Sequence, residues 1–298
     1  MSIQLPSPLE TFQMEGRDIW CKRDDLIHPV ISGNKWRKLK ATAYWLVKEN
    51  IPALASFGGA YSNHLHALAY VCKVLNIQFH AVVRAHPQSP LTPTLSDIKN
   101  WGSRIHFVSR DEYRLRNDEA YIEQLKQELQ VDYVIPEGGS NEACIHGVED
   151  IIEELNKQHT QVFDYILAPV ASGGTLAGLI SGVRKAKLAT QVLGIAVLKG
   201  KAYLTDSVES LLPNTDASYH NWEIFYEASV VCGGYAKLSK ELEAFGEQFS
   251  KTHFTLDRVY NTKSFFALKM LLQQARFRNK KILILQTGGL QGNRKTAL

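Results

Sequence analysis

An α/β fold of two doubly wound parallel-sheet units is the expectation for this chain, and three observations carry it. Short apolar, β-branched runs alternate with longer stretches of helical period. The apolar runs look buried on both faces, as strands of parallel sheets covered by helices are. Four glycine-rich turns (SFGGAYSNH, IPEGGSN, APVASGGTLAG and LQTGGLQG) each directly follow such a run.

The expected strands are Ala53–Phe57, Phe79–Val83, Ile105–Val108, Tyr133–Ile135, Tyr165–Val170, Val192–Val197 and Ile282–Leu285. Helical patterns between them cover Lys35–Lys48, Asn63–Leu75, Asp118–Leu129, Asn141–Leu155 and Lys237–Phe249. At 298 residues the chain can build one large or two modest cores. We expect a smaller unit over residues 40–147 and a larger one from 1–39 with 148–298. Ligands of such open sheets bind at the carboxyl edge, where strands end and helices begin. Any one glycine turn there is as well read as a tight turn, but four at strand ends point to one shared site.

Composition narrows the function classes. Thirty-four Lys and Arg against 30 Asp and Glu leave a formal charge of +4. The basic residues are scattered, apart from Lys35, Arg37, Lys38 and Lys40, so the broad basic face of a nucleic-acid binder is not expected. A mild positive charge suits an anionic ligand. The beginning MSIQLPSPLETFQMEG has neither a basic n-region nor an apolar core, and no run approaches a membrane span. Cys21, Cys72, Cys144 and Cys232 lie far apart, without metal-ligand spacing, which points to a reduced cytoplasmic setting and no structural metal. His64 and His66 are close in sequence but do not share a helical face.

Two segments carry chemistry. In ASGGTLAG, residues 171–178, Gly173 and Gly174 let the chain turn sharply after the Tyr165–Val170 strand and expose consecutive N–H groups at a helix start. That is a ready anion site, suited to a phosphate. A dinucleotide fold is the competing reading, but the spacing is G-G-x-x-x-G, and the next strand runs into Leu198, Lys199 and Gly200 with no acid for a ribose. In SGNKWRKLK, residues 32–40, Lys35 sits at a helix start, where the helix dipole opposes its charge and favours the free amine that a nucleophilic lysine needs. Taken alone, Lys35 reads better as one more solvated charge of a basic helix start.

The motifs in order, KRDDL (22–26), GNKWRKL (33–39), GGAYSNH (58–64), IPEGGSN (135–141), ASGGTLAG (171–178), DRVYNTKSF (257–265) and QTGG (286–289), run over essentially the whole chain. Together they resemble the pyridoxal 5′-phosphate (PLP) family of 1-aminocyclopropane-1-carboxylate (ACC) deaminases and D-cysteine desulfhydrases, of the tryptophan-synthase-β-like fold class. GNKxRKL joined to GGxxSNH is the specific part of that signal. The resemblance implies a homodimer acting on a small amino acid, with PLP held in a cleft between the two units. It implies Lys35 as the Schiff-base lysine and the base at Cα, and Asn63 as partner of the cofactor's ring oxygen. Ala171, Ser172, Gly173, Gly174 and Thr175 would cradle its phosphate. Ser62, Asn63 and the neighbouring His64 would hold the substrate, which Tyr235 and Tyr260 would face.

Two positions bear on the reaction. ACC deaminases of this family carry Glu after the VYxGK tyrosine and Leu before the last Gly-Gly; here those places hold Asn261 and Thr287. Thr287 matches the desulfhydrase branch. A hydroxyl at the pyridine nitrogen leaves the ring more neutral than a carboxylate would, which suits β-elimination of a good leaving group over opening of a cyclopropane. The resemblance thus favours a D-cysteine desulfhydrase-type lyase; ACC deamination, or PLP binding without turnover, are the alternatives. The chain departs from the family at Thr262, where glycine is usual, and that methyl and hydroxyl are expected to reshape the floor beneath the ring.

Overall fold

The structure is a computed structural model and describes residues 2–212 and 221–294. Along the chain the elements are β1 (Leu9–Met14), β2 (Arg17–Arg23), α1 (Asn34–Lys48), β3 (Ala53–Gly59), α2 (Asn63–Leu75), β4 (Gln78–Arg84), α3 (Pro93–Asn100), β5 (Arg104–Val108), α4 (Arg110–Arg114), α5 (Glu119–Leu129) and β6 (Tyr133–Ile135). There follow α6 (Glu142–Gln158), β7 (Tyr165–Val170), α7 (Gly174–Lys185), β8 (Gln191–Ala196), α8 (Lys201–Glu209), β9 (Trp222–Phe225), α9 (Ala228–Val231), α10 (Lys240–Thr252), α11 (Asn261–Leu272) and β10 (Ile282–Gln286).

Two sheets result. The smaller runs β5-β4-β3-β6, parallel throughout. The larger runs β1-β2-β10-β7-β8-β9. It is parallel except at its edge, where β1 pairs antiparallel with β2. Each sheet is wound on both faces, as expected. On β10, Leu283 and Leu285 join a core with α6, α7 and α8, whereas Ile282 and Ile284 join α10 and α11 on the other face. The small sheet divides likewise: Leu54 and Phe79 pack with α1, α2 and α3, and Ala55, Phe57 and Val82 with α4 and α5. Alternate residues are apolar on both faces, which is why these strands read as unbroken apolar runs.

All seven expected strands are present to within two residues. Two expected helix starts, Asp118 and Asn141, are N-caps whose side chains accept from the backbone N–H three residues on. Lys237 also lies outside its helix, which Ser239 caps. Three strands and the helices α3, α4, α8, α9 and α11 were not among the expected elements. β1 and β2 carry Glu10, Arg17, Lys22 and Arg23, charges that mask the pattern. β9 is a four-residue edge strand. α11 buries ten of its twelve residues, so it lacks the one-sided period that marks a surface helix. Ile27, Ile31, Trp36 and Leu39, from the segment expected in the larger unit, pack in the core of the small sheet. Residues 213–220 and 295–298 of that larger unit lie outside the described residues.

Candidate active site

A cavity of about 470 Å³ lies where the two sheets present their carboxyl ends. Gly59 at the end of β3, Val170 at the end of β7 and Thr287 just after β10 all line it. The sequence-expected residues Lys35, Ser62, Asn63, His64, Tyr235, Tyr260, Thr287 and the run Ala171–Thr175 all converge there. The size is that of a pocket for a cofactor-sized ligand with a small partner.

Lys35 is the second residue of α1. Its helix begins at Gly33, whose φ is 71°; a Cβ there would fall 1.8 Å from the carbonyl oxygen of Thr287. Glycine alone lets this helix start abut the β10 loop. The Lys35 ammonium donates to Asn34 Oδ1 at 2.5 Å, and Asn34 Nδ2 donates to Thr175 Oγ1 at 2.6 Å. One asparagine therefore ties Lys35 to the loop of residues 171–175. Burial, then the charge of Lys38, depresses the Lys35 amine to about 7.

The loop of residues 171–175 opens α7, with Gly173 at φ 78° as N-cap. Opposite it, the buried Lys38 donates to Ser140 Oγ at 2.6 Å and to Ser172 Oγ at 3.4 Å, and Ser140 donates to Ser172 at 2.8 Å. Burial pushes the Lys38 amine down as well. A lysine, two hydroxyls and a helix N-terminus thus converge on one point, a donor set that fits a phosphate group.

Ser62 caps α2, accepting from the Leu65 N–H at 3.2 Å, so that helix also aims its N-terminus at the cavity. Gln291 Nε2 donates to Asn63 Oδ1, which leaves the Asn63 NH₂ without a protein acceptor among the described residues. His64 Nε2 lies 2.7 Å from Ser56 Oγ while Nδ1 is unpartnered, and burial holds the ring neutral. The rings of Tyr235 and Tyr260 stand 6.3 Å apart at 68°. Burial raises both phenols, Tyr235 to about 12, and for Tyr260 the neighbouring Tyr235 and Asp257 add to that push.

Asn261 and Thr287 prove to be one unit. Thr287 N and Oγ1 both donate to Asn261 Oδ1, at 3.0 and 3.2 Å, and Asn261 Nδ2 donates to the Gly288 carbonyl at 2.9 Å. Asn261 does not reach the cavity; it orients Thr287, which does. Buried Asp257 accepts the N–H groups of Val259, Tyr260 and Asn261 at 2.8 Å each, shaping the turn that presents Tyr260. Thr262 corrects an expectation: its hydroxyl donates to the Asp257 carbonyl at 2.8 Å and its side chain faces Gly246, outside the cavity. Next to it, the fully buried Lys263 donates to the carbonyls of Val197, Val231 and Gly234 at 3.1, 2.8 and 2.7 Å. Those three contacts fix the turn on which Tyr235 rides.

Sequence reasoning missed Asn34, Lys38 and Ser140. Lys38 was findable, since it follows Lys35 by three residues on the same helical face. It also missed the rim, where Tyr113 donates to Glu137 at 2.5 Å, Arg116 donates to the same carboxylate at 2.6 Å, and Arg84, Arg110 and Arg114 line the mouth.

Comparison with known proteins agrees with this geometry. A family model described as pyridoxal-phosphate dependent enzyme matches residues 4–288. A bifunctional D-cysteine desulfhydrase/1-aminocyclopropane-1-carboxylate deaminase, mitochondrial, of Arabidopsis thaliana is 31% identical over 97% of this chain and 77% of its own. A putative 1-aminocyclopropane-1-carboxylate deaminase of Thermotoga maritima is 32% identical over 93% of this chain and 90% of its own. The crystal structure of an ACC deaminase homologue superposes with a TM-score of 0.86 at 26% identity, covering 98% of this chain and 92% of that one. Serine racemase from Dictyostelium discoideum, at TM-score 0.67 and 18% identity over 97% and 93%, shares the fold. With its phosphate cradle, its depressed lysine and its matching relatives, this chain belongs to the pyridoxal-phosphate-dependent enzymes.

Proposed function

We propose that this protein is a lyase that carries out α,β-elimination on a small amino acid, of the D-cysteine desulfhydrase type, releasing pyruvate, ammonia and the β-substituent. The observation that carries the reading is the pairing of a depressed, half-buried Lys35 with a phosphate cradle across one cavity. Bound there, the cofactor supplies an electron sink for charge that develops at the substrate's Cα. The chain's own residues do the rest. Lys35 is the covalent anchor and then, as a free amine, takes the α-proton. Residues 171–175 with Lys38 would hold the phosphate, and the Asn63 NH₂ would be free to donate to the ring oxygen. The N-terminus of α2, with Ser62, holds the substrate carboxylate. His64 closes the wall behind it. Tyr235 and Tyr260, both held protonated, face the β-carbon and can donate a proton to the departing group.

Thr287 would meet the pyridine nitrogen as an uncharged hydroxyl, oriented by its contact with Asn261 Oδ1 at 3.2 Å. Such a neutral partner supports elimination over cyclopropane opening. The smaller unit over 40–147 and the larger from 1–39 with 148–298 are read as the two walls of this cleft. A cytoplasmic homodimer completes the reading; the exposed Tyr44, Trp45 and Val47 on α1 offer an apolar face for a second copy. Among the described residues no helix is long and apolar enough to cross a membrane.

The test is a product assay on PLP-loaded protein with D-cysteine, β-chloro-D-alanine and ACC. Pyruvate from the first two, with no 2-oxobutanoate from ACC, is the expected pattern. 2-Oxobutanoate at a comparable rate would make ACC deamination the function, and turnover of none would leave a PLP-binding protein.

The depressed lysine also sets a pH dependence. The free amine is the nucleophile, so cofactor uptake by apoprotein should climb about tenfold between about pH 6 and pH 8, tracking a midpoint near 7, not one near 10.5. Absorbance at the visible edge follows it directly. The same shift adds stability as pH rises from about 7 to 10.5, because in that window the unfolded chain binds a proton on Lys35 that the folded one does not. Uptake flat across neutral pH would contradict the buried-amine account.

A further inference from the structure

The rim of the cleft is more cationic than a neutral amino acid requires. Arg84 ends β4 in register with Gly59 at the end of β3. Paired residues of neighbouring strands project to the same face. The side of Gly59 on which a Cβ would stand is occupied by the Tyr235 ring, 3.5 Å away. Arg84 therefore projects on the face where Tyr235 lies, and its charge reaches the Tyr235 phenol and opposes the upward push of burial. Its guanidinium stands 5.1 Å from the centre of the Tyr113 ring, and Arg116 stands 5.0 Å from the centre of the same ring.

The four rim arginines differ in what neutralises them. Arg116 is paired with Glu137 at 2.6 Å, and Arg114 with Asp111 at 2.9 Å. Among the described residues neither the Arg84 nor the Arg110 side chain, both exposed at the mouth, makes an ion pair or a hydrogen bond, although both line the cavity. Two planar cations, one of them stacked and so oriented, face the cleft without an anion. The α-carboxylate of an amino acid already has the N-terminus of α2, so the charge of these two arginines is surplus to it.

We propose that Arg84, supported by Arg110, forms an anion subsite that selects amino acids whose β-substituent is itself an oxyanion, a phosphate ester or a sulfonate. This rests on the elimination reading and names its substrate class. Arginine suits the task because its planar fork meets two oxygens of such a group at once. The reaction balances without a further reactant. Lys35 takes the Cα proton, the Cβ–O or Cβ–S bond breaks, and its electron pair leaves with phosphate or sulfite. One water then converts the remaining three-carbon enamine into pyruvate and ammonia. Rim cations also raise the local concentration of a doubly anionic substrate, an effect that salt screens.

The test compares wild type with Arg84→Gln, both PLP-loaded, on O-phosphoserine, cysteate and β-chloroalanine, each in both enantiomers. For whichever oxyanion is the substrate, the ratio of its kcat/KM to that of β-chloroalanine should fall about tenfold to a hundredfold in the variant, the worth of one or two charge-assisted hydrogen bonds. Phosphate against sulfonate is decided by which of the two shows that fall. Calorimetric binding of cysteate, O-phosphoserine and alanine to the same two proteins is the second measurement. Oxyanions preferred over alanine by wild type, with the preference lost in Arg84→Gln, uphold the subsite even if no compound is turned over, in which case elimination alone fails. Equal binding of alanine and both oxyanions, or a ratio unmoved by Arg84→Gln, overturns the subsite while leaving elimination standing.

Discussion

Lys35→Ala should lose the visible absorbance of the loaded protein and at least about a thousandfold in pyruvate formation, while remaining folded. The side chain serves as both anchor and proton acceptor, and loss of a positioned acid–base group alone costs roughly a hundredfold to ten-thousandfold. Stability should hold or rise, since the wild type confines two amines, Lys35 and Lys38, in one site where burial disfavours the charge of each. Spectra, the product assay and a thermal melt on one preparation check all three parts. A visible band retained by the variant would move the covalent attachment elsewhere.

Arg37→Met should cost the most stability of any single change in the shared motifs, about 3–5 kcal/mol. Arg37 is 1% exposed and pairs through Nε and Nη2 with the two oxygens of Asp24, each at 2.8 Å, and with Glu154 at 2.9 and 3.0 Å. Ser7 Oγ joins the network by donating to Asp24 at 2.7 Å, and Lys22 pairs with Glu154 at 2.6 Å. Asp24 is 0% exposed, so removal of Arg37 strands a carboxylate with no water to receive it. For a chain of this length the melting midpoint should drop by roughly 10 °C. The control is Arg37→Met with Asp24→Leu, which removes the stranded charge and should recover much of the loss. A double variant no more stable than the single one would show that packing, not charge, is what Arg37 contributes.

This network explains why part of the site was legible in the sequence and part was not. Lys35, Ser62 and the Ala171–Thr175 loop stand at glycine turns after apolar strands, where local pattern and chemistry coincide. KRDDL and the arginine of GNKWRKL carry the family resemblance just as strongly, yet Lys22, Asp24 and Arg37 lie beneath the site, holding β2, α1 and α6 together. Motif strength does not separate a residue that touches substrate from one that holds the scaffold. Arg84, Tyr113 and Glu137 meet only because three separate strand ends of the small sheet do, a coincidence of topology with no local signature. Asn261 looked like a substrate-selecting position, but its side chain acts one step back, through Thr287.

Lys263 places a positive charge where three main-chain carbonyl oxygens converge at 2.7–3.1 Å. A ring of carbonyls of this kind is what replaces the hydration shell of a bound potassium ion. Here the charge is part of the polypeptide: it cannot exchange with the medium, and it is lost only as pH rises through about 8, the value to which burial lowers this amine. The turn that presents Tyr235 therefore keeps its shape without drawing on the cell's supply of alkali cations.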